Sequence, residues 1–128
     1  MQQYKILVVD DDPVSRMLLA KILDHHLYTF SIAGNAEEAF EILSDRSFSL
    51  ILMDIEMPDT DGLEAIQFIR GLSADYFKRI PVIALTAHRR EDILQKASLA
   101  GMNEVLSKPI DINNLLSAIN RFAKNTVN

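Results

Sequence analysis

Short apolar runs that stop abruptly at a polar side chain, each followed by residues at helical spacing, constrain this chain more than any other feature. Ile6-Leu7-Val8-Val9 stops at Asp10, Phe48 to Met53 stops at Asp54, and Pro81 to Leu85 stops at Thr86. A continuous run rich in β-branched residues, without polar alternation, is what a strand buried on both faces requires. Tyr28 to Ala33 and Glu104 to Ser107 read as two further strands. Strands buried on both faces belong to parallel sheets, because the helical crossovers that join them cover the sheet on each side.

The intervening segments carry the helices. Asp12 can cap the first and Pro13 suits its first turn, after which Val14, Met17, Leu18 and Ile22 recur at helical spacing. Asn35, with Glu38 three residues on, makes a capping-box-like start for a helix carrying Ala36, Ala39, Phe40 and Leu43. A loop with Pro58, Asp59, Asp61 and Gly62 leads to a helix with Leu63, Ile66 and Ile69 on one side. A fourth helix runs from about Glu91 to Ala100, where Gly101 can end it, and Asp111 caps a last one bearing Ile112, Leu115, Leu116, Ile119 and Phe122. His25 and His26 fall at the end of the first helix, where they suit its negative terminus. Five strand-helix units in strict alternation predict an α/β, flavodoxin-like, doubly wound five-stranded parallel sheet of order 2-1-3-4-5 with five helices. That order is preferred because it sets the ends of strands one and three side by side at the topological switch point.

Composition narrows the function classes. With 128 residues, the expectation is a single domain over 1–128, and the polar tail from Lys124 to Asn128 leaves no room for another. Thirteen basic against 18 acidic residues give a net charge of -5, and the basic ones are scattered, which argues against direct nucleic-acid binding. The chain has no cysteine, so disulfides, thiolate metal sites and a cysteine nucleophile are excluded. Only four consecutive apolar residues precede Asp10, too few for a signal-peptide core or membrane insertion, and a cytoplasmic location is expected.

The polar residues that interrupt the apolar pattern, Asp10 and Asp11, Asp54, Thr86 and Lys108, sit at carboxyl ends of strands, where open α/β sheets bind ligands. Three carboxylates brought together repel by about 1 kcal/mol per pair at 4 Å in water and about 4 at an effective dielectric of 20, so the cluster calls for a cation. An all-oxygen set suits Mg²⁺, which takes one or two carboxylates and shares its shell with water and phosphate. A phosphoryl group in transfer needs an in-line nucleophile and positive charge on its equatorial oxygens. Asp54 is the candidate nucleophile, Asp10 and Asp11 the metal holders, Lys108 the partner of one phosphoryl oxygen, and the Thr86 hydroxyl a donor to another.

Val8-Val9-Asp10-Asp11, Met53-Asp54-Ile55-Glu56-Met57-Pro58-Asp59-Thr60-Asp61-Gly62, Ala84-Leu85-Thr86-Ala87 and Ser107-Lys108-Pro109 together resemble the response-regulator receiver domain of two-component signalling. The resemblance runs from about Lys5 to Ala123, and its texture is similar to receivers attached to hybrid histidine kinases. It implies a phosphorelay switch rather than an enzyme. Asp54 would be phosphorylated from a phosphohistidine, and Mg²⁺ would contact Asp11, Asp54 and the backbone carbonyl of Glu56, with Asp10 acting largely through a bound water. The partners implied are a histidine kinase or histidine phosphotransfer protein, docking near Val14, Ser15 and Met17 beside Pro109 and Ile110, and a tethered or separate output protein. The resemblance also implies a cis peptide between Lys108 and Pro109, and side chains of Glu56 and His88 flanking the path of the water that attacks the acyl phosphate. One departure stands out: Val105 occupies the position where receivers commonly carry an aromatic switch residue.

Two other readings remain open at this level. Asp10-x-Asp12 after the first strand resembles the nucleophile motif of haloacid-dehalogenase-type phosphatases, although no acidic pair follows Lys108 at useful spacing and Asp54 would go unexplained. A pseudo-receiver acting only as a binding module is the third, and it usually shows loss of an acidic residue, the acceptor or the lysine, none of which is lost here.

Overall fold

The chain alternates strand and helix in the order β1 (Lys5–Val9), α1 (Pro13–His25), β2 (Thr29–Ala33), α2 (Ala36–Leu43), β3 (Leu50–Asp54), α3 (Gly62–Arg70), α4 (Asp75–Arg79), β4 (Val82–Thr86), α5 (Arg90–Ala100), β5 (Glu104–Ser107) and α6 (Ile112–Ala123). The computed structural model describes residues 4–57 and 61–123; Pro58, Asp59 and Thr60 of the loop motif and the tail from Lys124 lie outside the described residues. Every strand pairing is parallel and the sheet order is β2-β1-β3-β4-β5, the arrangement expected from the alternation.

Because side chains alternate across a strand, one apolar run feeds two cores. Ile6, Val8, Leu50, Leu52, Ile83 and Leu85 face α1 and α6, packing with Leu19, Ile22, Leu23, Leu115 and Ile119. Leu7, Val9, Ile51, Met53, Val82, Ala84 and Val105 face the other way, toward α2, α3, α4 and α5. Full burial of one such side chain is worth about 1.5–3 kcal/mol, so a one-residue slip of β3, buried along its whole length, would cost several such terms. The strand ends, and the polar side chains they carry, are held in register by this packing.

The capping residues read from the sequence hold the helix starts. The Ser15 N–H donates to Asp12, the Glu38 N–H to Asn35 and the Asn114 N–H to Asp111. Gly101, at φ +105°, ends α5 in the left-handed region that glycine tolerates.

One expectation needs correction. The helices number six, not five, among the described residues: α4 spans five residues and is too short to show a helical period. It is held from outside, with Phe77 buried and the Tyr76 hydroxyl in hydrogen-bond contact with the backbone of Phe48. In α1 the core side is Leu19, Ile22 and Leu23; Val14 and Met17, which the resemblance puts on the docking side, are 74 and 60% exposed, and Leu18 beside them is 47% exposed. The run of apolar residues there is wider than the stripe that the sheet can cover.

Candidate functional site

Val9 lies beside Met53 in the sheet, so the residues that follow β1 emerge next to the end of β3. Backbone bonds continue past the strands and fix these ends: the Asp10 N–H donates to the Ala33 carbonyl at 3.0 Å, Ile55 to Leu85 at 2.9 Å, and Lys108 to Thr86 at 2.7 Å. The Lys108–Pro109 peptide is cis.

Asp10, Asp11 and Asp54 each present a carboxylate oxygen, all within 4.8 Å of one another. Asp10 and Asp54 are buried and Asp11 is partly exposed. The Lys108 ammonium approaches from β5, 3.3 Å from Asp54 Oδ2 and 4.0 Å from Asp10 Oδ2. Burial pushes the Asp54 carboxyl up to about 6, Lys108 working against the rise and Asp10 adding to it. One ammonium against three carboxylates leaves the cluster short of positive charge. Hard oxygen donors without nitrogen or sulfur ligands fit Mg²⁺, so the cluster can hold a metal of that kind.

The carboxylates differ in what already occupies them. Asp10 accepts the Asp12 N–H at 2.9 Å on one oxygen and the Ser15 hydroxyl on the other. Asp54 accepts the Glu56 N–H at 3.1 Å on Oδ1, while Oδ2 faces Lys108. Asp54 is thus the carboxylate whose outward oxygen meets only an ammonium among these contacts.

Thr86 is buried at the same end of the sheet, but its hydroxyl donates to Glu56 Oε2 at 2.8 Å. The Ala87 N–H donates to Glu56 Oε1 at 2.7 Å, and His88 Nδ1 lies 3.4 Å from Glu56 Oε2. The structure therefore brings Asp10, Asp11, Asp54 and Lys108 together and sets Thr86, Glu56 and His88 beside them as a second cluster. His25 and His26 pair edge-to-face with each other at the far end of α1. Val105 is buried and pairs with Ala84 in the sheet.

Two further residues, Ser15 and Gly62, shape the site through contacts that the motif pattern does not show. Ser15, on the docking side of α1 by the resemblance, also donates its hydroxyl to Asp10; its position in the first turn after the acidic pair is the signal that marks it. Gly62 opens α3 where a Cβ would sit 2.7 Å from the Asp54 carbonyl oxygen and 2.8 Å from Ile55 Cα. Both neighbours are backbone, so only glycine lets α3 start this close behind Asp54. A poor helix former at the first position of a helix, just after the Asp61 cap, marks that approach.

The comparisons with known proteins agree with this geometry. Residues 6–120 match the family model described as response regulator receiver domain. The chain is 34% identical over 117 residues to the signal transduction histidine-protein kinase BarA of Escherichia coli, covering 91% of this chain but only 12% of the kinase. Among solved structures, it resembles the receiver domain of sensor histidine kinase PA1611 from Pseudomonas aeruginosa, which has a magnesium ion coordinated in its active-site cleft. That likeness has 28% identity, a TM-score of 0.84, and covers 96% of this chain and 99% of the other. It also resembles a chain of the Saccharomyces cerevisiae complex between the histidine phosphotransfer protein Ypd1 and the receiver domain of Ssk1, at 27% identity and a TM-score of 0.85, covering 98% and 92%. With the family model spanning most of its length and the acidic pocket at the carboxyl end of its sheet, this chain belongs to the response regulator receiver domain family, a signalling module and not a classical enzyme.

Proposed function

We propose that this chain is a phosphoacceptor switch of a two-component phosphorelay, working as a single receiver unit in which Asp54 takes a phosphoryl group from a phosphohistidine. The observation that carries the reading is the convergence of Asp10, Asp11 and Asp54 within 4.8 Å, with the Lys108 ammonium 3.3 Å from Asp54. Asp54 Oδ2 attacks phosphorus, the P–O bond forms as the P–N bond of the donor breaks, and the leaving imidazole nitrogen takes up a proton. Lys108 neutralises charge on one phosphoryl oxygen, and the Thr86 hydroxyl can turn to another. Asp11, Asp54 and the backbone carbonyl of Glu56 would hold Mg²⁺, with Asp10 reaching it through a water. The ion supplies positive charge against the phosphoryl oxygens.

The donor is a histidine kinase or a histidine phosphotransfer protein, for which the exposed Val14, Met17 and Leu18 of α1, near the site, offer an apolar docking surface. The solved Ypd1–Ssk1 complex, in which a receiver meets a phosphotransfer protein, supports that choice. Output passes to a tethered or separate protein, in the cytoplasm and without direct contact to nucleic acid. Among the described residues no helix is long and apolar enough to cross a membrane.

Asp10 spends its oxygens on the Asp12 N–H and the Ser15 hydroxyl and lies 4.0 Å from the Lys108 ammonium, against 3.3 Å for Asp54, which weighs against the phosphatase reading. Acetyl phosphate with Mg²⁺, followed by reductive trapping and mass mapping, tests the assignment. Label on Asp54, lost in Asp54→Asn, is expected; label on Asp10, or none at all, would overturn it.

A further inference from the structure

Resting on the phosphoacceptor reading, we propose that the Glu56 carboxylate is a built-in stand-in for the phosphoryl group. In the unphosphorylated chain it holds the Thr86 hydroxyl at the end of β4, the donor assigned above to a phosphoryl oxygen, together with the adjoining Ala87 N–H, and so it sets the affinity of the site for that group.

Both contacts are short and charge-assisted: Thr86 Oγ1 to Glu56 Oε2 at 2.8 Å and the Ala87 N–H to Glu56 Oε1 at 2.7 Å. A threonine hydroxyl has a single proton, which cannot serve two acceptors at once. The acceptor side of the same hydroxyl is already used, since the His88 N–H donates to Thr86 Oγ1 at 3.1 Å. Hence Thr86 can reach a phosphoryl oxygen only by leaving Glu56. Burial decides which partner moves: Thr86 is fully buried, whereas the Glu56 side chain is 35% exposed and can exchange its donors for water. A dianionic group on Asp54 would also repel the carboxylate across the site.

The exchange reaches beyond the pocket. Ser107 Oγ donates to the His88 carbonyl at 2.9 Å, so the loop leading to α5 is tied to Glu56 on one side and to β5 on the other. Release of Glu56 leaves only the β5 tie among these contacts. With a buried valine at position 105, no ring is available there to rotate, and this change of partner is the rearrangement the side chains permit.

The test measures the affinity of the Mg²⁺-loaded protein for beryllium fluoride, a tetrahedral phosphoryl mimic, together with the Ala87 amide proton shift, in wild type, Glu56→Ala, Glu56→Asp and Glu56→Gln. Removing the latch (Ala), or shortening it by one methylene (Asp), should tighten binding about tenfold, the order of one hydrogen bond to a charged group. It should also move the Ala87 amide upfield. Gln, which keeps an acceptor oxygen without the charge, should fall between. Equal or weaker binding in Glu56→Ala, or tight binding in Ala with wild-type binding in Asp, would overturn the latch, the second by making charge alone responsible. Absence of binding in every protein, with no acyl phosphate from acetyl phosphate, would instead overturn the phosphoacceptor reading itself.

Discussion

Asp54 ends β3 and Glu104 begins β5, two strands away in the same sheet, yet their carboxyls are pushed in opposite directions. Burial raises Asp54, and the second carboxylate of Asp10 adds to the rise against the pull of Lys108. Burial also works to raise Glu104, but the Val105 N–H, Arg90 and Arg121 outweigh it and hold the carboxyl below its usual range. The contacts explain the difference: Glu104 accepts from Val105 at 2.8 Å, from Arg90 at 2.7 Å and from Arg121 at 2.7 Å. Donors from three directions complete Glu104 as a structural link between β5, α5 and α6. Asp54 shares one ammonium with Asp10 and lies near Asp11, which leaves it short of positive partners and able to take a cation from outside the chain. The same side-chain chemistry is thus fully partnered in one place and short of positive partners in the other, as the proposed phosphoacceptor role of Asp54 requires.

The largest effect that could break this comparison is on transfer itself. Lys108→Met should slow labelling of Asp54 by acetyl phosphate about 100-fold, the scale seen when one preorganised charge partner is removed from a reacting oxyanion. Glu104→Gln should leave the initial rate within about twofold, because its partners are spent on the fold. Comparable losses in both variants would show that the two carboxylates are not separate systems.

A stability measurement is the next largest. The folded Asp54 carboxyl titrates near 6 against an ordinary value of 3.8. Between those values the folded chain binds more protons than the unfolded one, so its unfolding free energy falls as pH rises. In chelator, Asp54→Asn should therefore match wild type below about pH 4 and exceed it by about 1–3 kcal/mol above pH 6 to 7. Millimolar Mg²⁺ should close the gap, since only wild type gains from binding the ion at full strength. Urea unfolding across that range checks both; a gap constant with pH would deny the raised carboxyl.

Much of this arrangement was legible in the sequence, for a physical reason. A strand buried on both faces leaves no place for a carboxylate except its end, so the apolar runs of β1 and β3 located Asp10 and Asp54, and the short run before Lys108 located the ammonium. What stayed hidden depends on contacts between elements. α4 has too few residues for a period and is stabilised by Phe77 burial and the Tyr76 hydroxyl. The exposure of Leu18 beside Val14 and Met17 depends on how much of α1 the sheet covers. The reach of Glu56 to Thr86 and Ala87 joins residues about 30 positions apart, across two strands, and no local pattern encodes it.

Glu104 offers the smallest effect and the sharpest sign. Its folded carboxyl lies below the ordinary value of 4.5, so the stability it contributes is present above that value and lost as pH falls through the folded one. Glu104→Gln should cost about 1 kcal/mol near neutral pH, a figure kept small because the Arg90 and Arg121 side chains are 49 and 59% exposed and solvent screens them. The cost should shrink in about 1 M salt, where the screening length is near 3 Å, and fade as pH drops below the ordinary carboxylate value and through the folded one. The wild-type-minus-Gln difference therefore rises with pH where the wild-type-minus-Asn difference at position 54 falls. Two slopes of opposite sign, measured by urea unfolding in one chelated protein, would separate a carboxylate with enough partners from one still lacking them; slopes of the same sign would mean that Arg90 and Arg121 do not hold Glu104 as the hydrogen bonds imply.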